Sequence, residues 1–316
     1  MVGVGEEPSW ARVLATTARL SASRQVRAIG LPLRRPAARR WGLAILALVL
    51  VLATGAVLGF TGVLRSAAAP AGGASASDAA ARVRSQAAAW MVGQVSASAI
   101  IGCYPAMCAA LQAQGVAAGR LMPLSTAAAS PAGASVLVTS PPAGSRPDDE
   151  YAPALIASFG SGQTRIDVRA AEPGGPAAYQ AALRADLAAR RSAGSQLLRN
   201  RRIQFTAEYA APLRAGEVDS RLLATLAALA SQHTFRVTAF GDASPGAPVL
   251  FRAVTITGAG RAGAAALAAT AALARAQAPP YLPAHVTFVR LAAGQTALII
   301  EFAAPSPLGL LAAASD

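Results

Sequence analysis

A chain of 316 residues has room for two modest domains beside a membrane segment. All 28 basic residues are arginine, set against 15 acids, for a formal net charge of +13. Residues 1–41 carry eight arginines against Glu6 and Glu7, while residues 65–316 spread twenty over the remaining thirteen acids without a dense block. That spread speaks against a nucleic-acid partner, which wants a basic stripe interleaved with aromatics.

From the N-terminus, residues 1–40 read as an arginine-rich cytoplasmic tail. Arg12, Arg19 and Arg27 alternate with Leu14, Leu20 and Ile29, so the tail reads either as disordered chain or as a basic amphipathic helix on the inner leaflet. Trp41–Leu64 then runs twenty-four residues without a charge. A hydrocarbon core of about 30 Å needs roughly 20 apolar residues in a helix, so the run predicts a transmembrane signal anchor. Arg34, Arg35, Arg39 and Arg40 precede it, and such a cluster stays cytoplasmic, which sends the rest of the chain across the membrane. A cleaved signal peptide is the rival reading, with Ala67-Ala68-Ala69 and Ala74-Ser75-Ala76 as small-residue sites. The apolar run exceeds the usual length of about 7–15 residues for such a leader. Residues 65–77, rich in Ala, Gly, Pro and Ser, form a linker.

The fold class predicted for the rest is α/β and α+β. A small three-layer α/β domain is expected over 78–172. It opens with a helix from an Asp78 N-cap to Val95 that presents Val83, Ala87, Trp90, Met91 and Val95 on one face. A strand at 99–103, a helix from Pro105 to about Gly115, and strands at 120–124 and 135–139 follow. A short helix around 149–158 and an alternating strand over 164–170 close it.

After a Pro-Gly break, a second, α+β domain is expected over 173–304, with residues 305–316 as a tail. A helix over 177–199 offers Tyr179, Leu183, Leu187, Leu197 and Leu198 as buried positions. A strand at 203–209, a helix at 217–232, strands at 234–240 and 249–257, and an alanine-rich helix at 262–277 come next. The last element is a hairpin of 285–291 and 297–302 that turns at Gly294. This order resembles a split βαβ (βαββαβ) arrangement with one extra strand.

Residues that carry chemistry are few. Cys103 and Cys108 lie where a strand becomes a helix, and outside the cytoplasm a structural disulfide fits them; free buried thiols and a catalytic or metal role are the other readings. Redox catalysis prefers Cys-x-x-Cys, and zinc needs two further ligands that His233 and His285 are not spaced to supply. Asp148, Asp149 and Glu150 read as a solvated helix start rather than a cation site. Phe159-Gly-Ser-Gly162 lacks the Lys and Ser/Thr of a phosphate loop and reads as a tight turn. Asp242 and Ser244 follow a strand and form either a ligand loop or an ordinary turn. No Ser/His/Asp set or paired carboxylates assemble, and no cofactor or metal motif is present.

Within residues 84–169, the ordered series Ala87–Trp90, Val95, Ala99–Ile101, Ser135–Ser140 and Ala157–Arg169 resembles the extracytoplasmic C-terminal domain of multi-pass bacterial membrane glycosyltransferases of the mannosyltransferase type. Phe159-Gly-Ser-Gly162 through Arg165-Ile-Asp-Val-Arg169 is its most specific part. Those enzymes keep their catalytic acids in a membrane-embedded portion that a single-pass chain lacks, so no catalytic residue carries over. The resemblance implies an accessory outer domain acting on envelope glycan or beside membrane glycan-assembly proteins. The second unit is more distantly similar to peptidoglycan-binding domains of the outer-membrane-protein-A type, which need an arginine after the Asp242 loop; Arg252 and Arg261 stand nearest. The expectation is a non-catalytic, single-pass cell-envelope protein with the bilayer and envelope glycan as partners. The alternatives are a glycan-processing enzyme with an unrecognised site and a transmembrane regulator.

Overall fold

The computed structural model describes residues 76–124, 133–140, 151–241, 244–259, 263–292 and 294–311. The apolar run 41–64, the flanking arginines Arg34, Arg35, Arg39 and Arg40, the acidic run 148–150, Asp242 and Arg261 lie outside them. Among the described residues no helix is long and apolar enough to cross a membrane. Among the described residues, the named elements are six α-helices and two five-stranded mixed sheets, a mixed α/β structure.

The first sheet contains β1 (Ile101–Cys103), β2 (Leu121–Pro123), β3 (Val136–Thr139), β4 (Ala154–Phe159) and β5 (Ile166–Ala170), in the order β2-β1-β3-β5-β4. β1 runs parallel to both β2 and β3, and β5 runs antiparallel to β3 and β4. Period-2 alternation sends Ile101, Cys103, Val136, Val138, Ile166 and Val168 to one face. There they meet Ala87, Ala88 and Met91 of helix α1 (Ala76–Gln94) and Met107 and Leu111 of helix α2 (Pro105–Ala113). Both helices therefore cover the same face. The opposite face carries the smaller cluster Leu124, Ala134, Leu137 and Ala152. Among the described residues this half has two layers rather than the expected three.

Two local expectations are corrected here. Of the helix expected around 149–158, Tyr151 is helical but Ala154–Ser158 belong to strand β4, because antiparallel pairing with β5 outweighs the helical preference of its Ala and Leu residues. Helix α1 begins at Ala76, which puts Asp78 inside the first turn rather than at the N-cap.

The second half holds helix α3 (Gly175–Arg199), β6 (Ile203–Phe205), helix α4 (Ala207–Ala215), helix α5 (Ser220–Ala230), β7 (Phe235–Gly241), β8 (Ala253–Gly258), helix α6 (Gly263–Arg275), β9 (His285–Arg290) and β10 (Thr296–Glu301). Its sheet order is β6-β7-β8-β10-β9. β6 and β7 are adjacent and parallel, whereas β10 sits antiparallel between β8 and β9. The chain order follows the expected βαββαβ with one extra strand, but only the β8–α6–β9 crossover is a split βαβ unit, because β6 and β7 are direct neighbours. Phe235, Val237, Val254, Ile256, Leu298 and Ile300 face Leu222, Leu226 and Leu229 of α5 and Leu267 and Ala271 of α6.

Helix α4 replaces the C-terminal part of the strand expected over 203–209. Helix α3 lies on α4 and α5. Of its expected buried positions Leu197 is buried, while Tyr179, Leu183, Leu187 and Leu198 are half-buried. Its other buried positions are Asp186, Arg190 and Gly194. Gly194 allows the closest approach, since a Cβ there would lie 2.2 Å from the Leu213 carbonyl oxygen.

Candidate functional site

Connections out of β1 and β3 diverge. From β1 the chain passes through α2 to β2 on one side; from β3 it leads toward β4 and β5 on the other. In open α/β sheets, ligands occupy the crevice where strand connections part at the carboxyl ends. A cavity of about 140 Å³ lies at this point, between the end of β3, the start of α2, the lead into β5 and one side of α1. Arg84, Tyr104, Met107, Ser140, Gln163 and Ile166 are among the residues lining it.

Each wall has a local cause. Tyr104 takes the extended N-cap conformation and Pro105 supplies the first helical turn, which needs no N–H. Cys103 and Cys108 form a disulfide with Cα atoms 5.4 Å apart, closing the β1–α2 junction on itself. The Phe159-Gly-Ser-Gly162 stretch is the β4–β5 turn, ending in a 3-10 turn over Gly162–Thr164 that delivers Gln163 and Thr164 to the rim. Gly160 has φ +66°, and a Cβ there would meet the Thr164 carbonyl at 2.9 Å and Val83 of α1 at 3.0 Å. The turn therefore seats directly on α1. Thr164 donates its hydroxyl to the Ser161 carbonyl at 2.9 Å, and Ser140 to the Arg165 carbonyl at 3.3 Å. The half-buried Arg84 is left as the lining cation, and it forms no ion pair among the described residues.

The structure separates the other residues singled out in the sequence. Ser244 lies in the β7–β8 loop, where the neighbouring Pro245 carbonyl accepts the Ser158 N–H at 2.7 Å. Gly246, with φ +65°, packs so closely on Ser158 that a Cβ would lie 2.8 Å from its carbonyl. This loop thus docks on edge strand β4 of the first sheet. Asp167 accepts from Ser158 Oγ at 2.7 Å and from Arg165 Nε at 2.8 Å on the same Oδ1, with Arg169 at 3.6 Å from Oδ2. The hydrogen bond to Asp167, and that carboxylate's negative charge, hold the Arg165 guanidinium above its ordinary pKa. Arg252, 5% exposed, is buried, so it does not stand on the surface as the peptidoglycan comparison requires. His233 follows the turn after α5, donating its N–H to the Leu229 carbonyl at 2.9 Å, and His285 begins exposed strand β9. Among the described residues no group of three or more His, Cys, Asp or Glu is placed to hold a metal ion.

Two buried ion pairs were missed in the sequence. Arg190 Nε meets Asp186 Oδ2 at 2.7 Å, and Arg190 also donates to the Gly216 carbonyl. Asp186 Oδ1 accepts from Ser220 Oγ at 3.0 Å. Arg221 donates from its backbone N–H and Nε to Asp219 Oδ1 at 2.8 and 3.0 Å, and from Nη2 to Oδ2 at 2.7 Å. Burial works against the Asp219 carboxylate, yet the hydrogen bonds and charge of Arg221, with Ser306, hold its pKa below the ordinary value. The i,i+4 spacing of Asp186 and Arg190 was the available signal.

No family model, curated protein or solved structure matches this chain.

Proposed function

We propose that this is a single-pass envelope protein, anchored N-terminus inward through residues 41–64, whose outer part binds rather than catalyses. The observation that carries the reading is the Cys103–Cys108 disulfide, on the C-terminal side of an arginine-flanked apolar run. Disulfides persist in oxidising compartments outside the cytoplasm, and the arginine flank argues for the same direction of crossing. The crevice between β1 and β3 supports a binding role. Its apolar floor of Met107 and Ile166 beside the Arg84 cation suits a small anionic or hydroxyl-rich group, such as part of an envelope glycan or its lipid carrier. The likeness of residues 84–169 to the outer domain of mannosyltransferase-type enzymes points to the same class of partner. Asp167 is engaged by Ser158 and two arginines, which disfavours it as a general base.

Protease added to intact, wall-stripped cells tests this. Residues 78–316 should be degraded while an epitope placed before Arg34 survives. Survival of the C-terminal part until permeabilisation refutes the orientation.

A further inference from the structure

The segment following β10 enters both cores. Phe302 is fully buried among the apolar side chains of the second half, its N–H donated to the Arg252 carbonyl at 3.0 Å. Two residues on, Ala304 is fully buried in the core of the first half. Leu311 then returns to the second. Ala304 pairs with the end of α1: its N–H donates to the Gln94 carbonyl at 2.7 Å, and its carbonyl accepts the Ser96 N–H at 2.8 Å. Gln94 Nε2 adds a bond to Glu301 Oε1 at 2.8 Å.

The second half receives this segment on its two buried ion pairs. Arg221 Nη2 donates to the Ala303 carbonyl at 2.9 Å, Ser306 Oγ to Asp219 Oδ2 at 2.5 Å, and the Gly309 N–H to Asp186 Oδ1 at 3.0 Å. Each carboxylate is already neutralised by an arginine of its own helix, Asp186 by Arg190 midway along α3 and Asp219 by Arg221 at the start of α5. Withdrawal of the segment would therefore uncover paired, hydratable charges rather than an isolated buried ion. Phe302 belongs to the second core and stays, so the buried apolar side chains that leave are Ala304 and Leu311, with Pro305, Pro307, Leu308 and Leu310 leaving half-buried positions.

From this geometry we infer that residues 303–311 are a latch with two states. Engaged, it fixes the C-terminal end of α1. About ten residues of helix, roughly 15 Å, join that end to Arg84, and about fourteen, roughly 21 Å, to Ala80; both line the crevice. The latch thus couples the second half to one wall of the crevice, and α1 is the element both would bias. This coupling is a property of the protein alone and holds whatever the crevice takes up.

Amide hydrogen exchange on the full chain in detergent micelles tests the latch, comparing wild type with Ser306→Ala and, separately, Gly309→Pro. Ser306→Ala deletes one charge-assisted bond to the latch; Gly309→Pro deletes another and also forces the backbone out of its φ of +78°, so it is the stronger release. Exchange at Ser96 and Ala304 should quicken roughly tenfold or more, and α1 amides around 84–88 should quicken with them. Protection at Val138 in the first sheet and Ile256 in the second should stay at the wild-type level. Unchanged exchange at Ser96 and Ala304 overturns the latch. Acceleration there without any change along α1 overturns the coupling. Acceleration shared equally by Val138 and Ile256 also overturns it, since that is global unfolding.

Discussion

Replacing Gly194 by alanine tests how closely α3 is seated on α4. The new Cβ would lie 2.2 Å from the Leu213 carbonyl oxygen, 2.9 Å from its carbon and 3.2 Å from its Cα. These are backbone atoms, so no rotamer relieves the clash, and an ordinary contact of about 3.5 Å requires the helices to part by about 1 Å. Overpacking costs typically about 1–3 kcal/mol, and a displacement this large belongs at the upper end. Parting also loosens Leu213, which is fully buried, and strains the Arg190 bond to the Gly216 carbonyl. Alanine returns about 1 kcal/mol of helix propensity. The expected net loss is about 2 kcal/mol, or about 4–8 °C in Tm for a folded part of this size. Circular-dichroism melting of the full chain in detergent reads it. Gly93→Ala is the control: nothing lies within 4 Å of that Cβ, so it should leave Tm unchanged or slightly raised. A Gly194→Ala variant as stable as wild type would refute the argument.

Reducing the Cys103–Cys108 bond, or replacing both residues by serine, should cost about 2 kcal/mol, because the loop it closes is short; urea midpoints with and without reductant check this. Asp219→Asn should cost about 3–5 kcal/mol at pH 7 by leaving Arg221 buried without its partner, as read by urea unfolding. Because the folded pKa of Asp219 is depressed, its stabilisation is present above the ordinary carboxylate pKa and lost as pH falls below about 4; Asp219→Asn should flatten the acid limb of a stability–pH curve. Gly246→Ala must take φ +65° and press on the Ser158 carbonyl, so it should release the β7–β8 loop and speed amide exchange at Ser158 while the sheets keep their protection.

Elements with strong local signals were legible in the sequence. The helix at Pro105, the alanine-rich α6 and the β9–β10 hairpin all stand close to their expected bounds, with Gly294 in its turn at φ +74°. Helix α4 was hidden because Pro212 sits inside it and the preceding Ile203–Phe205 run carries a strand pattern onward. β4 was hidden for the converse reason, since its Ala and Leu residues favour a helix and only the neighbouring strand makes it extended. The face of α3 read as leucine-lined in fact buries an ion pair, which becomes tolerable only once Ser220 and the Gly216 carbonyl complete its hydrogen bonds. The cysteine pair was placed correctly at the strand-to-helix junction. The crevice beside it depends on where β3 and β5 fall in the sheet, and no local pattern encodes that order.

The orientation of the proposed anchor bears on everything proposed about compartment and partner. Paired fusions after Asp316, one to a phosphatase active only outside the cytoplasm and one to a fluorescent protein that matures only inside, measure it directly. The account predicts an active phosphatase and a dark fluorescent fusion. A bright fluorescent fusion with an inactive phosphatase would contradict it.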